Sequence, residues 1–319
     1  MRILLLTKTG RRVGFGHVQR CRRIARRLQH VGDQVAFAVF CPPEDASMLD
    51  PLLEEGLTVR RCHPSSTLSE GAEGQWDAIL ADLGDEDVRL LTGPRRRVVA
   101  LDCYREGADA YVNILPDPKF DPSAPVYSGY QYWLLEPSRH HKTRVRERIE
   151  RILISCGFTD PLNLASRAVE NLRAFYSNRA TPQVRCVVTS EYDPSNLRRI
   201  RDWEEVELLY NLPSLEEEML EADVLITAGG NTMVEGLALA LPTVVIPVGA
   251  RNAILADQLE DAGFLLRARD DWMAMLARLQ QEESRTALHH RCLEFDGFGI
   301  GRVIDILHGS ASLPQEQSA

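Results

Sequence analysis

Residues 2–30 read RILLLTKTGRRVGFGHVQRCRRIARRLQH and predict a strand, a glycine-containing loop and an amphipathic helix in direct succession. The run RILLLT is short and mostly apolar, as is typical of a strand that is covered on both faces. Beyond the loop, apolar side chains recur at helical spacing, at Val18, Cys21, Ile24, Ala25 and Leu28. A buried strand that leads through glycines into a helix favours an α/β fold with a parallel sheet.

The same alternation of strand and helix signals continues along the chain. In the first half, the strand-like runs are QVAFAVF, LTVRRC, DAILADL, RVVALDC, ADAYVNI and YQYWLLEP. The charged stretch SRHHKTRVRERIE then indicates a linker or a boundary helix, and the pattern restarts with ILISCG, QVRCVVTS, VELLYN, DVLITAGG and TVVIPV. We therefore expect two doubly wound α/β domains, over residues 1–145 and 146–308, with a ligand cleft at the carboxyl ends of both sheets. The tail, residues 309–319, is expected to be disordered.

The composition narrows the class of protein. The chain has 319 residues and a net charge of −9, which argues against a general nucleic-acid binder. No apolar run approaches the roughly 20 residues of a membrane-spanning helix, and the apolar start is too short for a signal peptide. The seven cysteines form no CxxC pair and are expected to be reduced thiols. We accordingly expect a cytoplasmic protein without a disulfide framework or a zinc site.

Arginine is concentrated near the beginning of the chain. Seven arginines lie between residues 10 and 30: Arg11, Arg12, Arg20, Arg22, Arg23, Arg26 and Arg27. The spacing of the apolar residues places most of them on the outer face of the first helix. Either this face is simply solvated, or it attracts an anionic ligand or an anionic membrane surface, which would give a peripheral membrane contact.

The loop before that helix matches neither a dinucleotide-binding pattern nor a P-loop. Its glycines, Gly10, Gly14 and Gly16, are spaced G-x-x-x-G-x-G, and no GK[ST] sequence follows. Gly14 and Gly16 would allow the backbone to approach a ligand closely. His17 opens the helix, where it is either a structural histidine or a group that exchanges a proton with a ligand.

A second glycine turn lies in the stretch ADVLITAGGNTMVEGLALALP. The strand DVLITA, the pair Gly229–Gly230 and a helix that begins at Asn231 or Thr232 predict a cradle for an anion. Glu235 follows about one turn later, where its carboxylate could accept hydrogen bonds from two adjacent ribose hydroxyls. The alternative is a capping box, in which Asn231 or Thr232 caps the helix and Glu235 is the acidic partner.

Three further residues of interest lie at the ends of predicted strands. Gly157, in SCGFTDPLNL, follows a strand and precedes Asp160, an expected cap for the next helix. Asp82 and Asp102 end the apolar runs DAILAD and RVVALD. Because ligands bind at the carboxyl ends of parallel strands, either carboxylate could contact a ligand or order a catalytic group. Each could instead cap the helix that follows its strand.

Taken together, these stretches resemble one known group of proteins. The motifs GFGHVQR, SCGFTDPLNL and AGGNTMVEGLALALP match, in the same order, those of the nucleotide-sugar hydrolases of pseudaminic acid synthesis and of related spore-coat polysaccharide proteins. The resemblance extends from residue 1 to about residue 308 and includes the closing FDGFGIGRVIDIL. It implies the glycosyltransferase-B fold, in which two Rossmann-like domains have a cleft between them.

The resemblance also implies roles for individual residues. His17 corresponds to the catalytic histidine, which helps to activate water against the anomeric carbon while UDP leaves. The nucleotide is expected to bind at Gly157, Gly229, Gly230, Asn231, Thr232 and Glu235, with Glu235 on the ribose hydroxyls. Asn252 corresponds to a position that touches the substrate in the hydrolases, and the residues of the first loop and of the strand ends, Arg11, Gly14, Gly16, Asp82 and Asp102, are expected to be further substrate contacts. Neither a cofactor nor a metal ion is expected, because no D-x-D motif lies at a strand end.

The sequence departs from this group in one segment. Where a D-H-Y-G-L-D-like sequence is usual, this chain has ADLGDED at residues 81–87, so Asp82 is retained and the His-Tyr pair is missing. The first hypothesis is hydrolysis of a UDP-linked deoxyamino sugar in nonulosonic-acid or surface-polysaccharide synthesis. The alternatives are a glycosyltransferase that moves the sugar to an acceptor, and a noncatalytic nucleotide-sugar-binding subunit.

Overall fold

The structure is a computed structural model that describes residues 1–11, 13–84, 88–92, 96–113, 120–134, 143–212 and 214–312, apart from the side chains of Leu90 and Arg251. The chain divides into two compact units. Unit 1 consists of Met1–Glu136 and Gly297–Ala319, and unit 2 consists of Pro137–Asp296. Each unit is an α/β domain built on its own parallel sheet, which confirms the fold class predicted from the sequence.

Unit 1 contains a seven-stranded sheet in which neighbouring strands are parallel. The strands are β1 (Arg2–Lys8), β2 (Gln34–Phe40), β3 (Thr58–Cys62), β4 (Ala78–Asp82), β5 (Arg97–Leu101), β6 (Ala110–Asn113) and β7 (Val126–Ser128), in the order β3-β2-β1-β4-β5-β6-β7. The helices of its first segment are α1 (Gly16–His30), α2 (Asp50–Glu54) and α3 (Leu68–Gly71). The strand order reverses between β1 and β4, and such a reversal is where α/β sheets bind ligands.

The alternating side chains of β1 explain why its sequence is mostly apolar. Ile3 and Leu5 are buried on the face that packs against α1, and Leu4 and Leu6 are buried on the opposite face. Helix α1 turns its own apolar stripe toward the sheet, as the spacing predicts. This packing fixes the beginning of α1, which carries His17, beyond the carboxyl end of β1.

Unit 2 contains a six-stranded parallel sheet. Its strands are β8 (Arg151–Ser155), β9 (Gln183–Val188), β10 (Val206–Tyr210), β11 (Val224–Thr227), β12 (Thr243–Val245) and β13 (Leu266–Arg267), in the order β10-β9-β8-β11-β12-β13. Its helices are α4 (Leu164–Tyr176), α5 (Pro194–Arg201), α6 (Glu216–Glu221), α7 (Asn231–Ala238), α8 (Gly249–Asp261), α9 (Trp272–Gln280) and α10 (Glu282–Cys292). The strand order reverses between β8 and β11, so ligand binding is expected at their carboxyl ends.

The last helix, α11 (Gly299–His308), belongs to unit 1, although the sequence pattern predicts a second domain over residues 146–308. Its buried apolar residues join the core around β1 and α1: Ile300, Val303, Ile304, Ile306 and Leu307. An amphipathic helix can cover any apolar face, so the sequence predicts the helix but not the sheet on which it packs. Unit 1 is consequently made from two separate segments of the chain.

Some local predictions also differ from the structure. The run YQYWLLEP contains a 3₁₀ helix at Tyr130–Tyr132 instead of a strand, and the strand of this region is β7. Strand β7 has three residues, of which one is buried, so it is too short to show an alternating pattern. The charged stretch before β8 contains no helix over its described residues, 143–150. Residues 313–319 of the tail lie outside the described residues.

We expect Gly299→Ala to destabilise the packing of α11 on unit 1. A Cβ atom on Gly299 would lie 2.0 Å from the backbone oxygen of Trp133, and backbone cannot move aside as a flexible side chain can. Because overpacking costs about 1–3 kcal/mol and occasionally more, the free energy of unfolding should fall by at least the lower value.

Gly301 in the same helix provides the matched control. A Cβ atom there meets no atom within 4 Å, so Gly301→Ala should leave stability unchanged or raise it by up to about 1 kcal/mol. Urea unfolding of the two variants measures the difference. Equal losses of stability in both would contradict the close approach of Gly299 to Trp133.

Candidate active site

At the carboxyl edge of the unit 1 sheet, two carboxylates and two side chains of α1 form one connected cluster. Asp82 is the last residue of β4 and Asp102 directly follows the neighbouring strand β5, so both reach the same edge. His17 and Arg20 are three residues apart on α1 and therefore share a face of the helix. Nδ1 of His17 lies 2.8 Å from Oδ1 of Asp82. Arg20 donates to both oxygens of Asp82, from Nη2 to Oδ1 at 2.5 Å and from Nε to Oδ2 at 3.1 Å.

Asp102 completes the cluster from the neighbouring strand. Nη1 of Arg20 donates to Oδ2 of Asp102, so the guanidinium bridges the two carboxylates. The backbone of Asp102 has a φ of 47°, in the left-handed region that aspartate adopts more readily than most residues. Its N–H donates to the carbonyl of Val112 at 2.9 Å. Backbone hydrogen bonding and ion pairing together hold this carboxylate in place.

The hydrogen bonds of the cluster determine which nitrogen of His17 can take up a proton. An ionised aspartate only accepts, so Nδ1 of His17 carries a hydrogen and donates it to Asp82. Nη2 of Arg20 lies 3.2 Å from the same nitrogen, but two donors cannot share a hydrogen bond, so this contact is electrostatic. Nε2 is therefore the unprotonated nitrogen of the neutral imidazole, and the His17 side chain is 25% exposed.

Asp82 is held in its ionised form although it is fully buried. Burial alone would raise the pKa of its carboxyl group, but the charge of Arg20 and the hydrogen bond from His17 outweigh burial and lower the pKa. A histidine that donates to a buried carboxylate is the usual arrangement of a general base in enzymes. The substrate contact that the sequence predicts for Asp82 conflicts with its exposure of 0%. Its contacts fit the other role considered for strand-end acids, the ordering of a catalytic group.

Hydrogen bonds hold the described residues between β1 and α1, which are 9–11 and 13–15. The hydroxyl of Thr9 donates to the carbonyl of Gly14 at 2.9 Å, and Gly14 has a φ of 83°, which favours glycine. The buried Asp45 accepts the backbone N–H of Arg11 at 2.9 Å and also pairs with its side chain, which stays 66% exposed. Of the three residues with predicted substrate contacts, Arg11 and Gly14 thus have defined backbone positions before α1, and Gly16 is the first residue of α1.

Several arginines of α1 have partners within unit 1, which reduces the charge available to an external surface. Arg22 and Arg26 both pair with Glu55, and these contacts, led by the hydrogen bond from Arg22, lower the pKa of Glu55 to about 2. Arg23 donates to the carbonyl of Leu134 at 3.3 Å.

Within the described parts of the chain, none of the helices is long and apolar enough to cross a bilayer. The peripheral membrane contact and the cytoplasmic location stay predictions.

In unit 2, the glycine turn after β11 leads directly into α7. Gly229 and Gly230 have φ values of 95° and 71°, which other residues rarely adopt. Gly230 occupies the N-cap position and has no side chain, so the capping box considered from the sequence does not form. The first N–H groups of a helix have no partner within the helix, and its dipole favours a negative charge at this end. The beginning of α7 is therefore suited to an anion.

The outer face of α7 carries three of the predicted nucleotide contacts. Asn231, Thr232 and Glu235 are half-buried, whereas Met233 and Val234 between them are buried against the sheet. Glu235 follows the first two residues by four and three positions, which places all three polar side chains on neighbouring parts of one face. The carboxylate of Glu235 thus lies about one helical turn beyond the Gly229–Gly230 turn.

Two other predicted residues lie at the same edge of unit 2. A Cβ atom placed on Gly229 would lie 3.9 Å from Nδ2 of Asn252, so Asn252, on α8, reaches the glycine turn. Ser155 of β8 pairs with Thr227 of β11, so the loop that contains Gly157 emerges beside the same turn. Gly157 is exposed and has a φ of 97°. All seven residues predicted for unit 2 therefore lie around one sheet edge.

Arg20 is a site residue that the sequence reading did not single out. The apolar spacing groups it with the arginines of the outer helix face, whereas its side chain is only 12% exposed. A usable signal was its separation of three residues from His17, which places the two on one face. The structure brings together His17, Asp82 and Asp102 in unit 1, as well as the predicted set of unit 2. Contacts of these residues with a ligand stay predictions.

We expect the neutral forms of two histidines to differ. His17 should carry its hydrogen on Nδ1, because Nδ1 donates to Asp82. His63 is the control, since its Nδ1 accepts the backbone N–H of Ser65 at 3.2 Å, which favours the form with the hydrogen on Nε2. Nitrogen chemical shifts of the imidazole rings distinguish the two forms, and His17→Gln and His63→Gln provide the assignments. A hydrogen on Nε2 of His17 would contradict the proposed orientation of the ring.

Comparison with solved structures identifies the fold. Acinetobacter baumannii MurG superposes with a TM-score of 0.65 at 15% identity, over 97% of this chain and 100% of that chain. A Listeria monocytogenes protein assigned as a UDP-N-acetylglucosamine 2-epimerase also gives 0.65, at 13% identity over 100% of both chains. The Streptomyces sp. SF2575 glycosyltransferase SsfS6, complexed with thymidine diphosphate, gives 0.61 at 16% identity over 96% of this chain and 99% of that chain.

Comparison of sequences is less specific. No protein-family profile matches the chain. The uncharacterized protein MJ1062 of Methanocaldococcus jannaschii is 23% identical over 274 residues, which are 77% of this chain and 55% of that protein. The chain thus spans about half the length of the curated relative that it matches. The structural matches show that the chain has the glycosyltransferase-B fold, with two parallel-sheet α/β domains.

Proposed function

We propose that the chain is a nucleotide-sugar-dependent enzyme in which His17 acts as the general base. One observation carries this proposal: the buried carboxylate of Asp82 accepts from Nδ1 of His17 at 2.8 Å, which leaves Nε2 as the basic nitrogen. Imidazole takes up and releases protons near neutral pH, as a general base must. A histidine that only fills space would need neither a buried carboxylate nor a buried guanidinium behind it.

The nucleoside diphosphate is proposed to bind to unit 2. The glycine turn and the beginning of α7 favour the negative charge of a diphosphate. Glu235 can accept hydrogen bonds from both ribose hydroxyls, because its carboxylate has two oxygens. Asn252 reaches the glycine turn from α8, where its side-chain amide would donate a hydrogen bond to the diphosphate. The bound thymidine diphosphate of SsfS6 supports this class of ligand.

The proposed reaction is a displacement at the anomeric carbon of the sugar. A hydroxyl group loses its proton to Nε2 of His17 while its oxygen forms a bond to the anomeric carbon. The bond between that carbon and the diphosphate oxygen breaks, and its electron pair leaves with the diphosphate. The beginning of α7 stabilises the charge on the leaving group, and Asp82 stabilises the imidazolium that forms.

We favour transfer to an acceptor hydroxyl over hydrolysis. SsfS6, which has the same fold, is a glycosyltransferase. The same histidine would also activate water, and the motifs GFGHVQR, SCGFTDPLNL and AGGNTMVEGLALALP support hydrolysis of a nucleotide-activated deoxyamino sugar as the second candidate. The second candidate is weaker because this chain lacks the His-Tyr pair that usually follows the position of Asp82 in the hydrolases.

We expect His17→Ala and Glu235→Ala to affect different steps. Loss of a general base should lower kcat by about 10²–10⁴-fold in His17→Ala and leave the Kd for UDP nearly unchanged. Loss of hydrogen bonds to a charged group should weaken UDP binding by roughly 10- to 100-fold in Glu235→Ala. Calorimetry measures the binding of UDP, and NMR follows turnover of a panel of UDP-sugars with and without hydroxyl acceptors.

The controls are His63→Ala and Glu217→Ala, since both residues are exposed and neither belongs to the predicted site. Release of UDP only when an acceptor is present would establish transfer, and release in water alone would establish hydrolysis. Binding of UDP-sugars without turnover under either condition would point to a noncatalytic subunit. Wild-type affinity for UDP in Glu235→Ala would show that the nucleotide site is wrongly placed.

A further inference from the structure

We propose that Arg20 is a positioning residue of this site. Its buried guanidinium fixes Asp82 in the orientation that orders His17, and its charge opposes premature protonation of His17. This inference rests on the proposed function of His17 as a base and extends it to a residue behind that histidine.

The donors of the guanidinium account for its ability to fix Asp82. Nε and Nη2 donate to the two oxygens of Asp82, and Nη1 donates to Asp102. A planar guanidinium that is held through three nitrogens cannot rotate without breaking several charge-assisted hydrogen bonds. The carboxylate of Asp82 is thereby kept in one plane, with Oδ1 directed at Nδ1 of His17.

The charge of Arg20 acts on both of its partners in the same direction. A positive group close to an ionisable side chain favours the deprotonated form of that side chain. At Asp82 burial raises the pKa of the carboxyl group, but the charge of Arg20, together with His17, outweighs burial and lowers it. At His17 the guanidinium, 3.2 Å from Nδ1, disfavours a second positive charge and so opposes the pull of Asp82 toward the imidazolium form. A base must be unprotonated before it can accept a proton, so this balance favours catalysis.

No other described group around the cluster places a positive charge beside both Asp82 and His17. Sγ of Cys21, also on α1, lies 4.0 Å from Oδ2 of Asp82. Burial, followed by the charge of Asp82, raises the pKa of this thiol, so the thiol stays neutral. From β5, Asp102 faces Arg20 and is paired with it. Lys8, at the end of β1, directs Nζ toward Gly84, 3.7 Å from where a Cβ atom there would lie. Among the described groups, Arg20 is thus the cation that contacts both Asp82 and His17.

Replacing Arg20 should change the pH dependence of kcat/KM as well as the value of kcat. Loss of the positive charge leaves the pull of ionised Asp82 toward the imidazolium form of His17 unopposed, so the acidic limb of kcat/KM should move to higher pH in Arg20→Met. A unit charge in contact shifts such a midpoint by about one pH unit or more. Arg20→Gln is a second neutral variant with the same expected direction. Arg20→Lys retains the charge and should keep a midpoint near that of the wild type, although kcat falls because the bridging geometry is lost.

Titration of the His17 ring by NMR in the same variants requires no substrate and therefore tests this inference separately from the proposed function. An upward shift in the two neutral variants that is absent from Arg20→Lys would support the inference, even if no nucleotide sugar is turned over. Arg27→Met, which changes an exposed arginine of the same helix, is the matched control and should titrate like the wild type.

Two results would overturn the role of Arg20. One is an unmoved midpoint in folded Arg20→Met or Arg20→Gln, with activity reduced by the same factor at every pH. The other is failure of both neutral variants to fold while Arg20→Lys keeps wild-type activity and titration, which would make Arg20 a residue of stability alone.

Discussion

The charge of Asp82 is the constraint on which the site in unit 1 depends. A carboxylate with no exposed surface keeps its charge only if close partners replace water, and here the partners are Arg20 and His17. Removing one partner of such a buried pair typically costs about 3–5 kcal/mol, because the remaining charge is left without compensation. The side chain of Asp82 therefore links the end of β4 to the beginning of α1 and sets the orientation of His17.

The anion site proposed for unit 2 is built by different means, chiefly from its backbone. Two glycines with positive φ turn the chain from β11 into α7, and the helix begins without a side-chain cap. Gly236, in the same helix, lets α7 approach the sheet closely, since a Cβ atom there would lie 2.5 Å from Cδ2 of Leu225. The glycines thus place the positive end of the helix dipole at the sheet edge. Side-chain charges order the histidine in unit 1, whereas backbone N–H groups would favour the diphosphate that we propose for unit 2.

Features that depend on local pattern could be predicted from the sequence. The apolar run of β1, the helical spacing in α1 and the glycine turn before α7 each determine their own element, and the same pattern places Asp82 and Asp102 at strand ends. Features that depend on which elements become neighbours could not be predicted. The pairing of β4 with β5 brings the two carboxylates around Arg20, and the packing of α11 on unit 1 reflects an apolar face that would suit either sheet.

The capping box that the sequence offered as an alternative, with Asn231 or Thr232 as cap and Glu235 as the acidic partner, does not form, for a related reason. The sequence pattern was present, but Gly230 occupies the N-cap position, because two consecutive glycines allow the chain to turn one or two residues earlier. The pattern of side chains was thus less informative than the conformational freedom of the residues before it. Glu235 is half-buried on the outer face of α7, and its carboxylate keeps the role proposed for it on the ribose.

The central claim is that Asp82 is ionised at neutral pH and orders His17 through that charge. Carbon NMR of the Asp82 carboxyl group, assigned by the signal that disappears in Asp82→Asn, follows its protonation directly. We predict a titration midpoint below about 3.9, the ordinary value for aspartate. A midpoint above that value in the folded protein would mean that burial outweighs Arg20 and His17, and it would contradict the ordering of His17 by a charged carboxylate.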